Sequence, residues 1–255
     1  MSSPGRQISK TFSAVVSALL WVIVAIISCF IFFLGCILFL PVSLVDKTRG
    51  VIHHAAGWWG KAILFAAQPI WTCRVEGLQF IQKGRHYVIV SNHQSMLDIL
   101  ILLAVLPLHF KFMAKKELFY VPVVGWHMAL ANYIPIDRRN IQSSKNALLK
   151  AQAWLSRNVS ILFFPEGTRS LTGEIQAFKE GAFRAAKETG AEILPVVLDG
   201  LWNAFPKRSW RIKNKARFYV SILSPVRIGQ GDSATEMSHR IRREMAERLK
   251  ILREK

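Results

Sequence analysis

The sequence predicts an α/β fold: a mostly parallel central sheet flanked by helices, preceded by an N-terminal membrane-embedded helical segment. Three observations lead to this prediction. An uncharged apolar stretch covers residues 12–45. From about residue 73, short β-branched runs alternate with helical patterns. Polar residues recur just after the predicted strands. We therefore expect membrane-anchoring helices in residues 1–72 and a larger catalytic domain in residues 73–255.

The apolar stretch at residues 12–45 is too long for one membrane span and too short for two, because each span needs about 20 residues. Basic residues flank it on both sides: Arg6, Lys10, Lys47 and Arg49. The positive-inside rule then places both ends in the cytoplasm. This predicts a helical hairpin that dips into one leaflet, with its bend within residues 28–35. The alternative is one tilted span followed by an interfacial stretch.

The stretch at residues 48–71 is typical of an interfacial amphipathic helix. Trp58, Trp59 and Trp71 lie among apolar residues, as expected for tryptophans at headgroup depth. His53 and His54 are adjacent, so they face different directions on a helix. We expect them to contact solvent or headgroups rather than to bind a metal ion.

The net charge of +18 and the pI near 10.3 indicate an anionic partner. Nucleic acid, an anionic membrane surface and a phosphorylated substrate all satisfy this charge. No sequence signature of a nucleic-acid-binding module is present, and we expect no nucleic acid partner. The three cysteines form no CxxC pattern, which predicts neither a zinc site nor a disulfide framework and favours a reducing compartment.

The region after residue 73 contains six predicted strands and four predicted helices. The strands cover residues 86–91, 110–114, 132–137, 159–165, 191–200 and 216–223. The helices cover residues 97–106, 143–158 and 178–190 and the charged stretch 233–255. Because ligands bind at the carboxyl ends of parallel strands, the residues that follow these strands predict a site. Four polar clusters do so, at His93, Lys115, 137–138 and 166–169.

The stretch "SNHQSMLDIL" places His93 and Asp98 five positions apart. On a continuous helix that spacing would point the two side chains apart. If His93 lies in a strand-to-helix loop and Asp98 in the first turn of the helix, the carboxylate can fix the imidazole tautomer. The other ring nitrogen is then a general base. No G-x-S-x-G motif supplies a nucleophile, so the substrate would bring the hydroxyl. An isolated H-x₄-D pattern also occurs by chance.

The stretch "FPEGTRS", residues 164–170, follows a strongly apolar predicted strand. Gly167 permits close backbone approach, Thr168 offers a hydroxyl donor, and Arg169 offers a fork for phosphate. The alternative is an ordinary turn with a surface ion pair. The presence of "FPEGTRS" together with the His93–Asp98 pattern favours a functional site over an ordinary turn.

Four blocks occur in order: "NHQSMLD" (92–98), "YIPIDRR" (133–139), "FPEGTRS" (164–170) and "ILPVVL" (193–198). With these blocks the chain resembles the glycerolipid acyltransferase family that includes the 1-acyl-sn-glycerol-3-phosphate acyltransferases. The resemblance covers roughly residues 75–200. It implies transfer of an acyl group from an acyl-CoA or acyl carrier protein thioester to the hydroxyl of lysophosphatidic acid, giving phosphatidic acid.

The resemblance also implies residue roles. His93 would be the general base and Asp98 its orienting carboxylate. The phosphorylated acceptor would be bound by Asn92, Lys115, Arg138, Glu166, Gly167, Thr168 and Arg169. Lys116 is the alternative to Lys115. Backbone N–H groups near Gly167 are the expected oxyanion donors. No metal and no cofactor are expected, since the thioester is already activated.

The implied partners are membrane lipids, lysophosphatidic acid and acyl-CoA or acyl carrier protein, and the implied location is a membrane, entered from the cytoplasmic face (the inner membrane of a bacterium). Other acceptors stay open: glycerol 3-phosphate, another lysophospholipid or an ornithine-type lipid. A lipid-binding scaffold of the same fold is the non-enzyme alternative. A metallohydrolase using His53, His54 and His93 lacks any HExxH spacing.

Overall fold

The computed structural model describes residues 4–68, 70–205, 215–229 and 231–254. Its helices are α1 (Pro4–Val45), α2 (Gly50–Ala66), α3 (Leu97–Val105), α4 (Val124–Leu130), α5 (Ile141–Leu155), α6 (Gly181–Thr189), α7 (Leu201–Ala204) and α8 (Ala234–Arg253). Its strands are β1 (Trp71–Glu76), β2 (Tyr87–Ser91), β3 (Phe110–Lys115), β4 (Ile134–Ile136), β5 (Ser160–Phe163), β6 (Glu192–Asp199) and β7 (Ala216–Ile222). Two 3₁₀ turns cover Leu78–Phe80 and Lys116–Tyr120.

The described strands form one seven-stranded sheet in the order β1-β7-β6-β2-β5-β3-β4. Its neighbours pair in parallel, except for the antiparallel pair β6–β7. The predicted α/β fold with a mostly parallel sheet is therefore confirmed. The central strand β2 is buried along its whole length, which explains its uninterrupted apolar sequence.

Successive side chains of β2 point to opposite faces of the sheet and pack in two different cores. Ile89 packs in the core that contains Leu102 of α3, together with residues of α2. Val90 packs in the core that contains Phe183 of α6 and Ile241 of α8. Helices thus cover both faces of the sheet, and the loops after the strands gather at one edge.

Strand β1 departs from the prediction. Residue 71 was expected at the end of an interfacial segment, but Trp71 begins a strand that pairs in parallel with β7. Its ring is buried and meets the Phe218 ring edge-on, with ring centroids 5.4 Å apart. Residues 71–76 form a strand because they pair with β7, about 145 residues later in the chain. The local sequence does not indicate such a distant partner.

Helix α2 confirms the predicted helix but is more deeply buried than expected. It packs on α3, and Ile52 and Ile63 belong to the core that the sheet shares. Trp58 is exposed, whereas Trp59 donates from Nε1 to Ser28 Oγ of α1 (2.8 Å). The expectation that His53 contacts solvent or headgroups is wrong, because its side chain is buried. The division at residue 72 stays a prediction.

The predicted hairpin is wrong, because α1 is one continuous helix of 42 residues. Ser28, at the expected bend, donates its hydroxyl hydrogen bond to Val24 O (2.6 Å) within the helix. The segment Ala14–Leu38 has a mean hydropathy of 2.9. Its length and composition are sufficient to cross a membrane. A single long helix agrees with the alternative expectation.

One stripe of α1 packs against the rest of the protein. Its buried positions include Ser17, Leu20, Ser28 and Phe32, with the three-to-four spacing of one helix face. Two ring contacts mark the ends of this stripe: Trp21 with Phe205 (5.5 Å) and Phe32 with Trp126 (5.9 Å). The opposite face exposes apolar side chains, among them Leu19, Ile26, Phe30 and Ile37.

Candidate active site

The loop after β2 brings His93 and Asp98 together. His93 Nδ1 lies 2.7 Å from Asp98 Oδ2, in the first turn of α3. The backbone N–H groups of Gln94 and Ser95 donate to the same carboxylate, at 2.6 and 3.0 Å from Oδ2. Since the carboxylate is the acceptor in all three bonds, Nδ1 carries the hydrogen and Nε2 is left as the acceptor. The bend inferred from the spacing is present.

Glu166 holds the backbone of His93. The His93 N–H donates to Glu166 Oε1 (2.7 Å), and the Gln176 N–H donates to Oε2 (3.0 Å). Burial raises the pKa of the Glu166 carboxyl, although both N–H donors oppose the rise. A buried carboxylate with both oxygens engaged would repel a phosphate. Its geometry therefore favours a positioning role over the predicted phosphate-binding role.

Phe164 is a neighbour of His93 that the sequence reasoning missed. Its ring stacks on the imidazole, with centroids 4.1 Å apart and planes 21° apart. The Ser170 N–H donates to His93 O (2.7 Å), so the loop at 164–170 borders the histidine from two sides. Phe164 is the first residue of the block "FPEGTRS" and also lies within the strand predicted at residues 159–165.

Asn92 and Gln94 tie the histidine loop to the end of β6. The Asn92 side chain donates to Leu198 O (2.9 Å) and accepts from Leu198 N–H (2.8 Å). Gln94 donates to Asp199 Oδ1 (3.2 Å) and accepts from Leu201 N–H (3.2 Å). Asn92, predicted to bind substrate, thus has its amide committed to the fold. Gln94, for which the sequence predicted no role, fixes the loop.

Two guanidinium groups lie beside this loop. Arg138 follows β4 and donates from Nη1 to Gly167 O (2.5 Å). Burial, and then the nearby positive charge of Arg169, lowers the pKa of the Arg138 guanidinium. Within the described ranges neither arginine forms an ion pair with a carboxylate. Adjacent unpaired cations are typical of a phosphate site.

Comparison with known proteins identifies the family. Residues 72–199 match the Acyltransferase family. The chain belongs to the acyltransferase family. The matched range agrees with the predicted resemblance over 75–200, and it contains every residue predicted for the site.

Two curated relatives and one solved structure are similar to this chain. The chloroplastic 1-acyl-sn-glycerol-3-phosphate acyltransferase LPAT1 of Arabidopsis thaliana is 34% identical over 82% of this chain and 58% of its own length. The alpha enzyme of that name from Mus musculus is 34% identical over 65% and 59%. The chain thus spans less than two thirds of these relatives. The 1-acyl-sn-glycerophosphate acyltransferase PlsC of Thermotoga maritima matches with a TM-score of 0.74 and 25% identity, over 92% of this chain and 98% of that one.

Gly167 adopts φ 73°, in the left-handed region that favours glycine. Its N–H donates to Phe164 O (3.0 Å), so this amide is engaged within the turn, and the prediction of oxyanion donors near Gly167 stays with the other N–H groups of the loop. A Cβ at Gly167 would lie 3.0 Å from Lys179 Nζ. Lys179 is therefore a further cation beside the loop, which the sequence reasoning missed. Thr168 is exposed on the same turn.

The two candidate lysines pair with different carboxylates. Lys115 is exposed and pairs with Glu117 (3.2 Å). Lys116 pairs with Asp137 (2.7 Å), the residue before Arg138. The alternative lysine, Lys116, is thus the one tied to the second block.

The alternative metal site is not assembled. His53 has both ring nitrogens in contact with other groups, the Tyr133 hydroxyl and Leu108 O, each at 3.0 Å. His93 instead contacts Asp98. The free cysteines, Cys29, Cys36 and Cys73, make no disulfide.

Proposed function

We propose that the protein transfers a fatty acyl group from acyl-CoA or acyl carrier protein to the sn-2 hydroxyl of 1-acyl-sn-glycerol 3-phosphate, giving phosphatidic acid. The observation that carries this proposal is the 2.7 Å contact between His93 and Asp98, next to a loop that bears the neighbouring guanidinium groups of Arg138 and Arg169. The names of the relatives, each a 1-acyl-sn-glycerol-3-phosphate acyltransferase, support the acceptor.

The proposed reaction begins when His93 Nε2 takes the proton of the acceptor hydroxyl. The hydroxyl oxygen attacks the thioester carbonyl carbon, and a tetrahedral oxyanion forms. Asp98 stabilises the imidazolium through Nδ1–H. The oxyanion then collapses, the C–S bond breaks, and the imidazolium returns the proton to the leaving thiolate. Base catalysis of this kind contributes about 10²–10⁴ in rate. Because the thioester is already activated, the reaction needs no cofactor.

The acceptor phosphate is proposed to lie against Arg138 and Arg169. Arg138 is held by Gly167 O, which fixes its fork at the edge of the site. Lys179, close to Gly167, adds positive charge from the other side of the turn. Burial, and then the charge of Arg169, lowers the pKa of Arg138, and a phosphate would offset the repulsion between the two guanidinium groups. Thr168 stays a proposed hydroxyl donor.

The protein is proposed to lie in one leaflet, entered from the cytoplasmic face, with α1 parallel to the membrane. The buried stripe from Ser17 to Phe32 spans about 22 Å of helix. If α1 crossed the bilayer upright, the domain packed along this stripe would sit within the hydrocarbon core of about 30 Å. Charged surface is costly there. With α1 in the membrane plane, its exposed apolar face meets lipid and the domain meets water.

The test is acyl transfer by the purified full chain in detergent with two donors tried separately, acyl-CoA and acylated acyl carrier protein, each labelled in the acyl chain. The acceptors are lysophosphatidate, glycerol 3-phosphate and lysophosphatidylcholine. We expect phosphatidic acid from lysophosphatidate and at least about a hundredfold lower rates with the other two. Product from another acceptor alone would contradict the assigned acceptor and keep the family chemistry. No product from any pair of donor and acceptor would contradict the proposal as a whole.

A further inference from the structure

The segment that follows β3 and extends into the first residues of α4 forms an uncharged, apolar part of the protein surface. Residues 118–126, "LFYVPVVGW", contain no charged side chain. Five of their side chains are exposed large hydrophobics: Leu118, Tyr120, Val121, Val124 and Trp126. Tyr120 is 81% exposed. We refer to residues 118–126 as the apolar knob. A soluble surface rarely groups so many exposed apolar side chains in one short segment.

The knob has a fixed shape. Gly125 N–H donates to Val121 O (2.7 Å), and Val121 N–H donates to Leu118 O (3.2 Å). A Cβ at Gly125 would lie 2.3 Å from Phe119 O, so only glycine fits there. Phe119 anchors the segment by packing against the core. Hence the exposed side chains project from a packed turn and not from a loose loop.

The turn at Val123 is strained. Its φ of 65° and ψ of −63°, with a Val124 N–H to Pro122 O bond of 2.7 Å, define a γ-turn in a rarely populated conformation. A β-branched residue is an outlier there. Strain of this kind persists where the surrounding structure over-determines it, and it clusters at functional segments. Tyr120 and Val121, which come just before this turn, are both exposed.

The knob is continuous with the membrane-facing helix α1. Trp126 contacts Phe32 of α1, with ring centroids 5.9 Å apart. Four basic residues lie near the base of the knob, Lys115, Lys116, Arg138 and Arg139, and their ion-pair partners among the described residues are Glu117 and Asp137. An apolar tip beside a cluster of cations matches the boundary between acyl chains and anionic headgroups.

We propose that the apolar knob inserts into the acyl–headgroup boundary of an anionic bilayer, beside α1, as a second membrane contact that sets the depth of the active site. The proposal rests on the membrane anchoring inferred above. Lys116 joins the base of the knob to Asp137, and Arg138 follows directly. Insertion therefore holds Arg138 at the level of the lipid phosphates. The second contact also fixes the rotation of the domain about α1.

The direct test is the depth of a fluorophore on the full chain reconstituted into vesicles of phosphatidylcholine and phosphatidylglycerol. Cys29, Cys36 and Cys73 are replaced by Ala, and single cysteines labelled with NBD are introduced. Tyr120→Cys reports the knob, Phe30→Cys reports α1, and Leu149→Cys on α5 reports water. Phe30 and Leu149 are 66% and 63% exposed, so they are matched controls.

We expect the label at position 120 to be quenched by shallow spin-labelled lipids and shielded from aqueous iodide. The label at position 149 should be open to iodide. If position 120 behaves like 149 while position 30 is in lipid, the knob proposal is overturned and the anchoring stands. If position 30 is also open to iodide, the anchoring fails, and the knob proposal fails with it.

A second test compares acyl transfer on vesicles with transfer in mixed micelles. Tyr120→Asp/Val121→Asp should lower the vesicle rate about tenfold or more and the micelle rate by less than about twofold. Leu149→Asp should change neither rate. Equal losses on vesicles and micelles would assign these residues to the acyl-chain site and overturn the proposal. Unchanged vesicle rates would overturn it as well.

Discussion

Two regions of this protein gather histidines and cations, and the surroundings of the histidines differ between them. At the active edge, His93 meets the Asp98 carboxylate and its side chain is 12% exposed. In the buried basic cluster, which we define as His53, His109, Lys111 and His127, no such carboxylate contact occurs among the described residues. His53 contacts a hydroxyl and a carbonyl instead.

The electrostatics of the buried basic cluster follow from burial. Burial lowers the pKa of His109 and of His127 to about 4 and that of Lys111 to about 7. The Lys111 ammonium donates to Ala131 O (2.7 Å) and lies 5.2 Å from the centre of the Trp154 ring. A histidine thus becomes a candidate base where a carboxylate orients it and substrate can reach it. Elsewhere it is a packing residue.

The largest expected difference between the regions is in activity. His93→Gln should lower kcat/KM for acyl transfer by about 10³ or more, because the base is lost while the fold is kept. The matched control is His53→Gln in the buried basic cluster. It should keep kcat/KM within about threefold and lower the melting temperature. Comparable losses of activity in both variants would break the comparison.

Asp98→Asn is expected to cost about 10²–10³ in kcat. The amide cannot accept the His93 Nδ1–H bond and the two backbone N–H bonds as a carboxylate does, so the tautomer is no longer fixed. Initial rates across acceptor concentrations measure this loss, and circular dichroism checks the fold. A rate within threefold of the wild type would show that the 2.7 Å contact does not orient the base.

Arg169→Ala should raise KM for lysophosphatidate about tenfold, with kcat changed by less than about threefold. The reason is the loss of one of two cations that carry the phosphate. Arg157→Ala is the control, since the Arg157 guanidinium lies over the Trp154 ring, 5.3 Å from the ring centre. A fall in kcat at unchanged KM would place Arg169 in the chemical step instead.

The smallest expected effect is the pH dependence of stability in the buried basic cluster. Its histidine pKa values lie below those of the unfolded chain, so the unfolded chain binds more protons between about pH 4 and 6.5. The free energy of unfolding therefore rises with pH through this window. The pKa of Glu166 is raised by burial, so the contribution of this one group to the free energy of unfolding falls as the pH rises.

Lys111 extends that rise above pH 7, by up to about 1.4 kcal/mol per pH unit. Melting temperatures in detergent between pH 4.5 and 8.5 measure both windows. Lys111→Met should flatten the curve above pH 7 and leave the lower window in place. A melting temperature of the wild type that falls steadily from pH 5 to 8 would contradict this account.

Much of the fold could be predicted because its local patterns agree with its tertiary structure. The strand at residues 86–91 and the helix at 97–106 correspond to β2 and α3. The loop between them could be inferred from the spacing of His93 and Asp98. Strand β1 could not, because its partner β7 is distant in sequence. The continuity of α1 was missed because Ser28 and Gly35 suggested a bend that the helix accommodates.

Within the site, the sequence indicated which residues gather but not what each one contacts. Glu166 and Asn92 lie in the predicted blocks, yet their side chains bind backbone groups of His93 and Leu198. Phe164 and Lys179 join the site through a turn whose shape depends on Gly167. Such contacts arise from the three-dimensional path of the loops, which a linear motif does not encode.

The most direct test of the central claim, that His93 and Asp98 act as one unit, is kcat for the double variant His93→Gln/Asp98→Asn beside both single variants. If Asp98 acts only through His93, its substitution costs nothing once the base is gone. We predict that the double variant is as slow as His93→Gln alone, within about threefold. Losses that multiply would contradict the account, because Asp98 would then act independently of His93.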